Sequence, residues 1–183
     1  RGAGTTKRKH TIRPATLDEL ETLVAEMPEQ YRAMVLLASW CALRFGELTE
    51  LRNRDLVLLD GDDDGSPTGV VRVERAVVRT AEGFKVTTPK SEAGARDVNI
   101  PPHLLPELRH HLDKFAPNRD DLLFPAEHGG HLAPATLYRR FYKARDAAGR
   151  PDLRWHDLRH SGAVLAAATG ATLAELMARL GHS

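Results

Sequence analysis

Hydrophobic positions recur with helical spacing at both ends of the chain and with strand spacing in the middle. Thr16 to Glu19 forms a capping-box pattern, and "LDELETLVAEM" behind it has an apolar stripe along one helical face until Pro28 stops it. A second helix is predicted from Glu29 to Leu43. Its second half is apolar on nearly every side, as expected of a central core helix. "FGELTELRNRD" continues the helical pattern. The period then changes. "VVRVERAVVRT", "FKVTT" and "RDVNI" are rich in β-branched residues and are bounded by "GDDDGSPTG", "AEG" and "PKSEAG", which predicts a small antiparallel sheet. Helices return at "PPHLLPELRHHLDKF", at "PATLYRRFYKARDAAG" and from His156 to Thr169. A second capping-box pattern, Thr172 to Glu175, opens "TLAELMARL", which Gly181 ends. The fold class is therefore mainly α with a small antiparallel β-sheet (α+β), without internal repeats.

Composition adds limits. At 183 residues and 42% hydrophobic content the chain suits one domain with a substantial core. No stretch has the apolar length of a membrane span, and the basic opening lacks the apolar segment of a secretory signal. Cys41, the single cysteine, lies in the apolar run "MVLLASWCAL" and reads as a buried thiol in a reducing cytoplasm. A soluble cytoplasmic protein is expected. Residues 1–15 are small, polar and basic without periodicity, and read as a linker or arm ahead of a domain spanning residues 16–183. The net charge of +1 hides an uneven distribution, with Lys7, Arg8 and Lys9 in that arm and an acidic "DGDDDG" further on. Basic regions of this kind point to a polyanionic partner.

One cluster stands out chemically. In "WHDLRHSGAVLAAATG", His156, Arg159 and His160 have i, i+3, i+4 spacing and share one side of a first helical turn. A solvated helix start, a zinc pair and an anion site are all open to such a cluster. The zinc pair is the weakest of the three. Asp157 and Leu158 replace the Glu that a metalloprotease pattern places beside its first His, Arg159 would repel a metal, and the other histidines supply no second ligand pair. An anion site draws on the free N–H groups of a helix N-terminus together with a guanidinium fork suited to phosphate. Phosphoryl transfer needs several such donors converging on one oxyanion.

Further boxes supply candidates. "HDLRHSGA" looks like the His-x-x-Arg box of the tyrosine recombinases, the phage integrase family. "ALRFGELTEL" resembles the box of that family's first catalytic arginine, here Arg44. "TPKSEAGARDVNIP" resembles the turn bearing its lysine, here Lys90, with Lys85 as the second choice. "LMARLGHS" resembles the box of its last histidine, here His182. The boxes fall in the family's order and cover nearly the whole chain from Thr16 onward.

The resemblance implies the catalytic domain of a site-specific DNA recombinase working through a 3′-phosphotyrosyl intermediate, with no cofactor and no metal. Arg44 and Arg159 would clamp the scissile phosphate, Lys90 would protonate the leaving 5′-oxygen, His156 would act as base and His182 would donate to a phosphate oxygen. Glu47 would orient Arg44, and His160 would support the cluster. Tyr31, Tyr138 and Tyr142 all precede the His-x-x-Arg box, so the nucleophilic tyrosine is expected beyond Ser183. As given, the chain is expected to bind phosphate without cleaving DNA. Expected partners are double-stranded attachment sites, with a homotetramer forming on DNA in the full-length protein and this stretch monomeric. Tyr138, Arg139, Arg140 and Lys143, together with Lys7, Arg8 and Lys9, are the expected DNA contacts. A type IB topoisomerase-like enzyme and a non-catalytic DNA-binding module are the alternatives.

Overall fold

The structure, a computed structural model, describes residues 13–61, 65, 67–88 and 95–168. The first element among the described residues is α1 (Leu17–Glu26), capped as its sequence predicts. The Thr16 hydroxyl accepts from the Glu19 amide and Glu19 Oε2 accepts from the Thr16 amide. Next comes α2 (Glu29–Trp40), on which Ala33, Met34, Val35, Leu37 and Ala38 are all buried, so it is the central core helix. It ends at Trp40 rather than Leu43, because Ala42 takes a left-handed conformation (φ 55°) that turns the chain out of the helix.

The stretch predicted to continue helically is broken into α3 (Phe45–Leu48) and a 3₁₀ turn at Asn53–Asp55. Five strands follow: β1 (Leu56–Leu59), β2 (Thr68–Val73), β3 (Ala76–Thr80), β4 (Gly83–Thr87) and β5 (Arg96–Ile100). They form two antiparallel sheets instead of one. β1, β2 and β5 pair in that order with Val71 opposite both Leu56 and Val98, while β3 and β4 form a hairpin with Val77 opposite Val86. "VVRVERAVVRT" is thus two strands, interrupted at Glu74 and Arg75.

A 3₁₀ turn (Pro102–Leu104) leads into α4 (Leu105–Phe115), and α5 (Pro134–Ala147) and α6 (Trp155–Ala168) complete the described fold. One continuous core joins α1, α2, α4, α5, α6 and the inner face of the three-stranded sheet. Contact is closest between α2 and α6, where a Cβ at Gly162 would stand 1.3 Å from the Ser39 carbonyl oxygen, so only glycine fits. The described segment just before α1 is fastened to the domain. The buried Ala15 amide donates to Ser161 Oγ (2.8 Å), and Arg150, 1% exposed, donates to the Arg13 carbonyl (2.7 Å), Glu19 (2.6 Å) and Asp152 (2.9 Å). Residues 13–15, read from sequence as the end of an arm, are bound into the domain. The basic triplet Lys7, Arg8 and Lys9, and the second capping box at Thr172 to Glu175, lie outside the described residues.

Candidate phosphate-binding site

The site grows from the turn after α2. Once Ala42 has reversed the chain, Arg44 becomes the N-cap of α3, and the α3 residue that reaches back to it is Glu47. Glu47 Oε2 accepts from the Arg44 amide (2.8 Å) and Oε1 from Arg44 Nη1 (3.0 Å). One carboxylate therefore caps the helix and bonds the guanidinium of the same residue. The Arg44 side chain stays 43% exposed while that of Glu47 is 6% exposed, so the arginine presents itself to solvent from a buried anchor.

The second half of the site is the start of α6. Trp155 is buried against Phe141 of α5, ring edge to face at 5.3 Å, and Leu158 is wholly buried. These contacts fix the helix rotation. His156 lies on the exposed side, its ring 5.5 Å from that of the half-buried His160, whereas Arg159 is 4% exposed. The three candidates share the first turn, but Arg159 enters from beneath and the histidines stand at the surface.

Electrostatics couple the two halves of the site. Burial, and then the positive charge of Arg44, push Arg159 down to about 10; Glu47 opposes this and Arg96 adds to it. Burial, then His160 and Arg159, also lower the imidazole of His156, with Asp157 opposing and Arg44 contributing. Two guanidinium groups from separate boxes are thus close enough for Arg44 to disfavour the charge of Arg159. A bound anion would relieve this, and a forked guanidinium matches phosphate oxygens. His156 is held toward its neutral form, the state a proton acceptor needs.

The α5 surface borders this site through Tyr138, whose ring lies 6.0 Å from that of Phe45, the residue after Arg44. Arg139, Arg140 and Lys143 are exposed, on the helix side away from the buried Leu137, Phe141 and Ala144. Tyr138 itself is half-buried against the core and stacks on Tyr142 at 5.9 Å. Lys90 and His182 lie outside the described residues. Lys85 is exposed opposite Val78 and, by strand alternation, on the hairpin face away from Val77, Phe84 and Val86. Among the described residues, no group of three or more His, Cys, Asp or Glu could hold a metal, and no helix is long and apolar enough to cross a membrane.

Sequence reading assigned nothing to two buried charge networks beside the site. Arg96 donates Nη1 to Glu47 Oε1 (3.0 Å) and Nη2 to Glu47 Oε2 (3.1 Å). One signal was legible: alternation puts Arg96 on the same face of β5 as buried Val98 and Ile100, where a cation needs a buried partner. The second network surrounds Glu50, 2% exposed, which accepts from Arg52 (3.2 Å) and Arg75 (3.3 Å) and lies 2.6 Å from His131 Nε2. Arg75 also donates to Asp55 at 2.6 Å and 2.9 Å. These partners are far apart in sequence and nothing local announces them.

Arg44 at the head of α3 and buried Arg159 on α6 are thus held by a mainly helical domain with small antiparallel sheets. The phage integrase family model matches residues 14–183, and the chain belongs to that family. It is 64% identical over 185 aligned positions to a Mycobacterium tuberculosis protein named as the integrase of prophage phiRv2, covering 100% of this chain and 47% of that one. It is 40% identical over 175 positions to the integrase of Mycobacterium phage D29, covering 94% of this chain and 45% of that one. The chain thus spans about half the length of these two relatives. Among solved structures, the Tn1549 transposon integrase in complex with circular intermediate DNA superimposes with a TM-score of 0.74 at 18% identity, over 97% of this chain and 61% of that one. That likeness shows a shared fold.

Proposed function

We propose that this chain is the catalytic domain of a site-specific DNA recombinase that cleaves and rejoins DNA through a 3′-phosphotyrosyl intermediate. The observation that carries the reading is that Arg44, held out toward solvent by buried Glu47, and buried Arg159, from a separate box, lie close enough for the charge of Arg44 to lower the pKa of Arg159. Each guanidinium fork binds non-bridging oxygens of the scissile phosphate, and both stabilise the charge that grows there as a fifth oxygen approaches phosphorus. His156, held toward neutrality, takes the proton of the nucleophile. The resemblance assigns that nucleophile to a tyrosine following Ser183 in the native-length protein, the leaving-group proton to Lys90, and a further phosphate hydrogen bond to His182.

The tyrosine oxygen forms a bond to phosphorus as the 5′-oxygen leaves with a proton. Rejoining runs the same exchange with a 5′-hydroxyl as the attacking group. One phosphoester replaces another, so no bond energy has to be supplied from outside. Arg139, Arg140 and Lys143 extend the cationic surface along α5 toward neighbouring backbone phosphates.

The test is a nicked suicide duplex bearing the protein's own attachment site, incubated with native-length protein and followed by mass mapping of the adduct. A DNA-linked tyrosine beyond Ser183 is expected. Tight binding without an adduct would instead mean a DNA-binding module that retains the pocket without its chemistry.

A further inference from the structure

We propose that Arg96 is a positioning residue of the phosphate pocket: by engaging the Glu47 carboxylate with both fork nitrogens, it keeps Arg44 turned outward to the phosphate. The inference rests on the reading of the site as a phosphate pocket.

Three groups compete for one carboxylate. Arg96 takes it in parallel, Nη1 to Oε1 at 3.0 Å and Nη2 to Oε2 at 3.1 Å, the geometry in which a guanidinium holds a carboxylate most firmly. Arg44 reaches Oε1 with Nη1 at 3.0 Å, and the second oxygen receives its backbone amide at 2.8 Å. Exposure separates the two guanidinium groups: the Arg96 side chain is 7% exposed and as deep as that of Glu47 at 6%, whereas that of Arg44 is 43% exposed. Arg96 therefore stands behind the carboxylate and Arg44 in front of it.

Position in the fold explains why the rear partner matters. Glu47 is three residues from Arg44 on the same short helix, close enough for the two to close into a fork-to-fork pair of their own. Such a pair would neutralise Arg44 and draw it down into α3. Arg96 comes from β5, a strand fixed by its pairing with β2 (Arg96 opposite Val73), so its position does not depend on α3. It occupies the carboxylate from the far side and leaves the local charge positive. The same charge reaches Arg159, where Arg96 adds to the lowering that Arg44 produces. An oriented Arg44 and an anion-seeking pocket both follow from one buried contact.

The experiment measures inorganic phosphate binding to the 183-residue chain by NMR titration, independently of strand cleavage. Arg96→Met should weaken phosphate binding about tenfold, the scale of one misplaced charge-assisted hydrogen bond. Adding Glu47→Gln to Arg96→Met should restore part of the affinity, because the neutral amide no longer draws Arg44 inward; a merely structural role would make the two losses multiply. Arg96→Lys keeps the charge without the fork and provides the same comparison should Arg96→Met fail to fold. It should show a smaller loss, again eased by Glu47→Gln. Unchanged affinity in both Arg96 variants, or multiplying losses, would overturn the proposal. Failure of the parent chain to bind phosphate would overturn it together with the pocket. Absence of a DNA adduct with this pattern intact would remove only the strand-cleavage reading.

Discussion

The two small sheets are built from similar β-branched residues, yet they are anchored very differently. β2 and β5 bury Val71, Val73, Val98 and Ile100 in the common core, and β5 begins with Arg96 locked onto Glu47. In the β3–β4 hairpin only Val77 is buried, and Val78, Phe84 and Val86 are 41% to 45% exposed. Contacts among the described residues that tie the hairpin to the domain include one to α3 and one to the loop before α5. The Val77 carbonyl oxygen would stand 2.5 Å from a Cβ at Gly46, and the Phe84 ring lies 5.8 Å from that of His131. The difference separates two jobs. Groups that must hold charge in a fixed geometry sit on buried scaffolding, and the hairpin rests on that scaffold with little core of its own.

The strongest way to break the contrast is to disturb the scaffold where it is tightest. Gly162→Ala places a methyl group against the Ser39 carbonyl and forces α6 away from α2. A loss of about 3 kcal/mol in urea unfolding is expected, the upper range for overpacking, with Arg159 displaced. An unchanged urea midpoint would show that α6 is not held against α2 as closely as the Gly162–Ser39 approach implies. Next, Arg139→Glu with Arg140→Glu should weaken duplex DNA binding and lower the salt slope by about one per lost phosphate contact. An unaltered slope removes α5 from the DNA surface.

Hydrogen exchange sharpens the comparison on a smaller energy scale. Amides of β3 and β4 should open well before those of β2 and β5, because few apolar side chains oppose local opening. Equal protection would contradict the division. The smallest effect concerns pH. His111, 1% exposed between Phe115 and Phe124, is pushed below its usual 6.5 by burial, against the opposing bond to the Leu123 carbonyl. As pH falls through 6.5 the unfolded chain takes up the proton first, so stability declines from there toward the lower folded value and is unaffected above it. Urea midpoints at about pH 5.5 and pH 7.5 should differ less for His111→Phe than for the parent.

The sequence revealed what is local and missed what is assembled. The Thr16 capping box, the central apolar helix and the arginine boxes depend on neighbours within a turn or two and were legible. The strand Leu56–Leu59 was not, because four consecutive apolar residues carry no alternation. The break at Glu74 and Arg75 was hidden because its cause is remote: Arg75 turns toward Asp55 and Glu50, both buried. Glu47 could be assigned to Arg44 from helical spacing, whereas Arg96 lies 49 residues away and meets the carboxylate only through the sheet. The link between Arg44 and Glu47 was thus readable from spacing, and its extension to Arg96 required the fold.

The central claim is that two guanidinium forks clamp one phosphate. The direct test is single-turnover cleavage of a suicide duplex by native-length protein carrying Arg159→Lys, measured beside Arg159→Ala. A lysine keeps the charge and loses the fork, so both variants should slow cleavage by about 100- to 1,000-fold. A lysine variant that cleaves at the parent rate would mean that Arg159 supplies charge alone, and the clamp would be wrong.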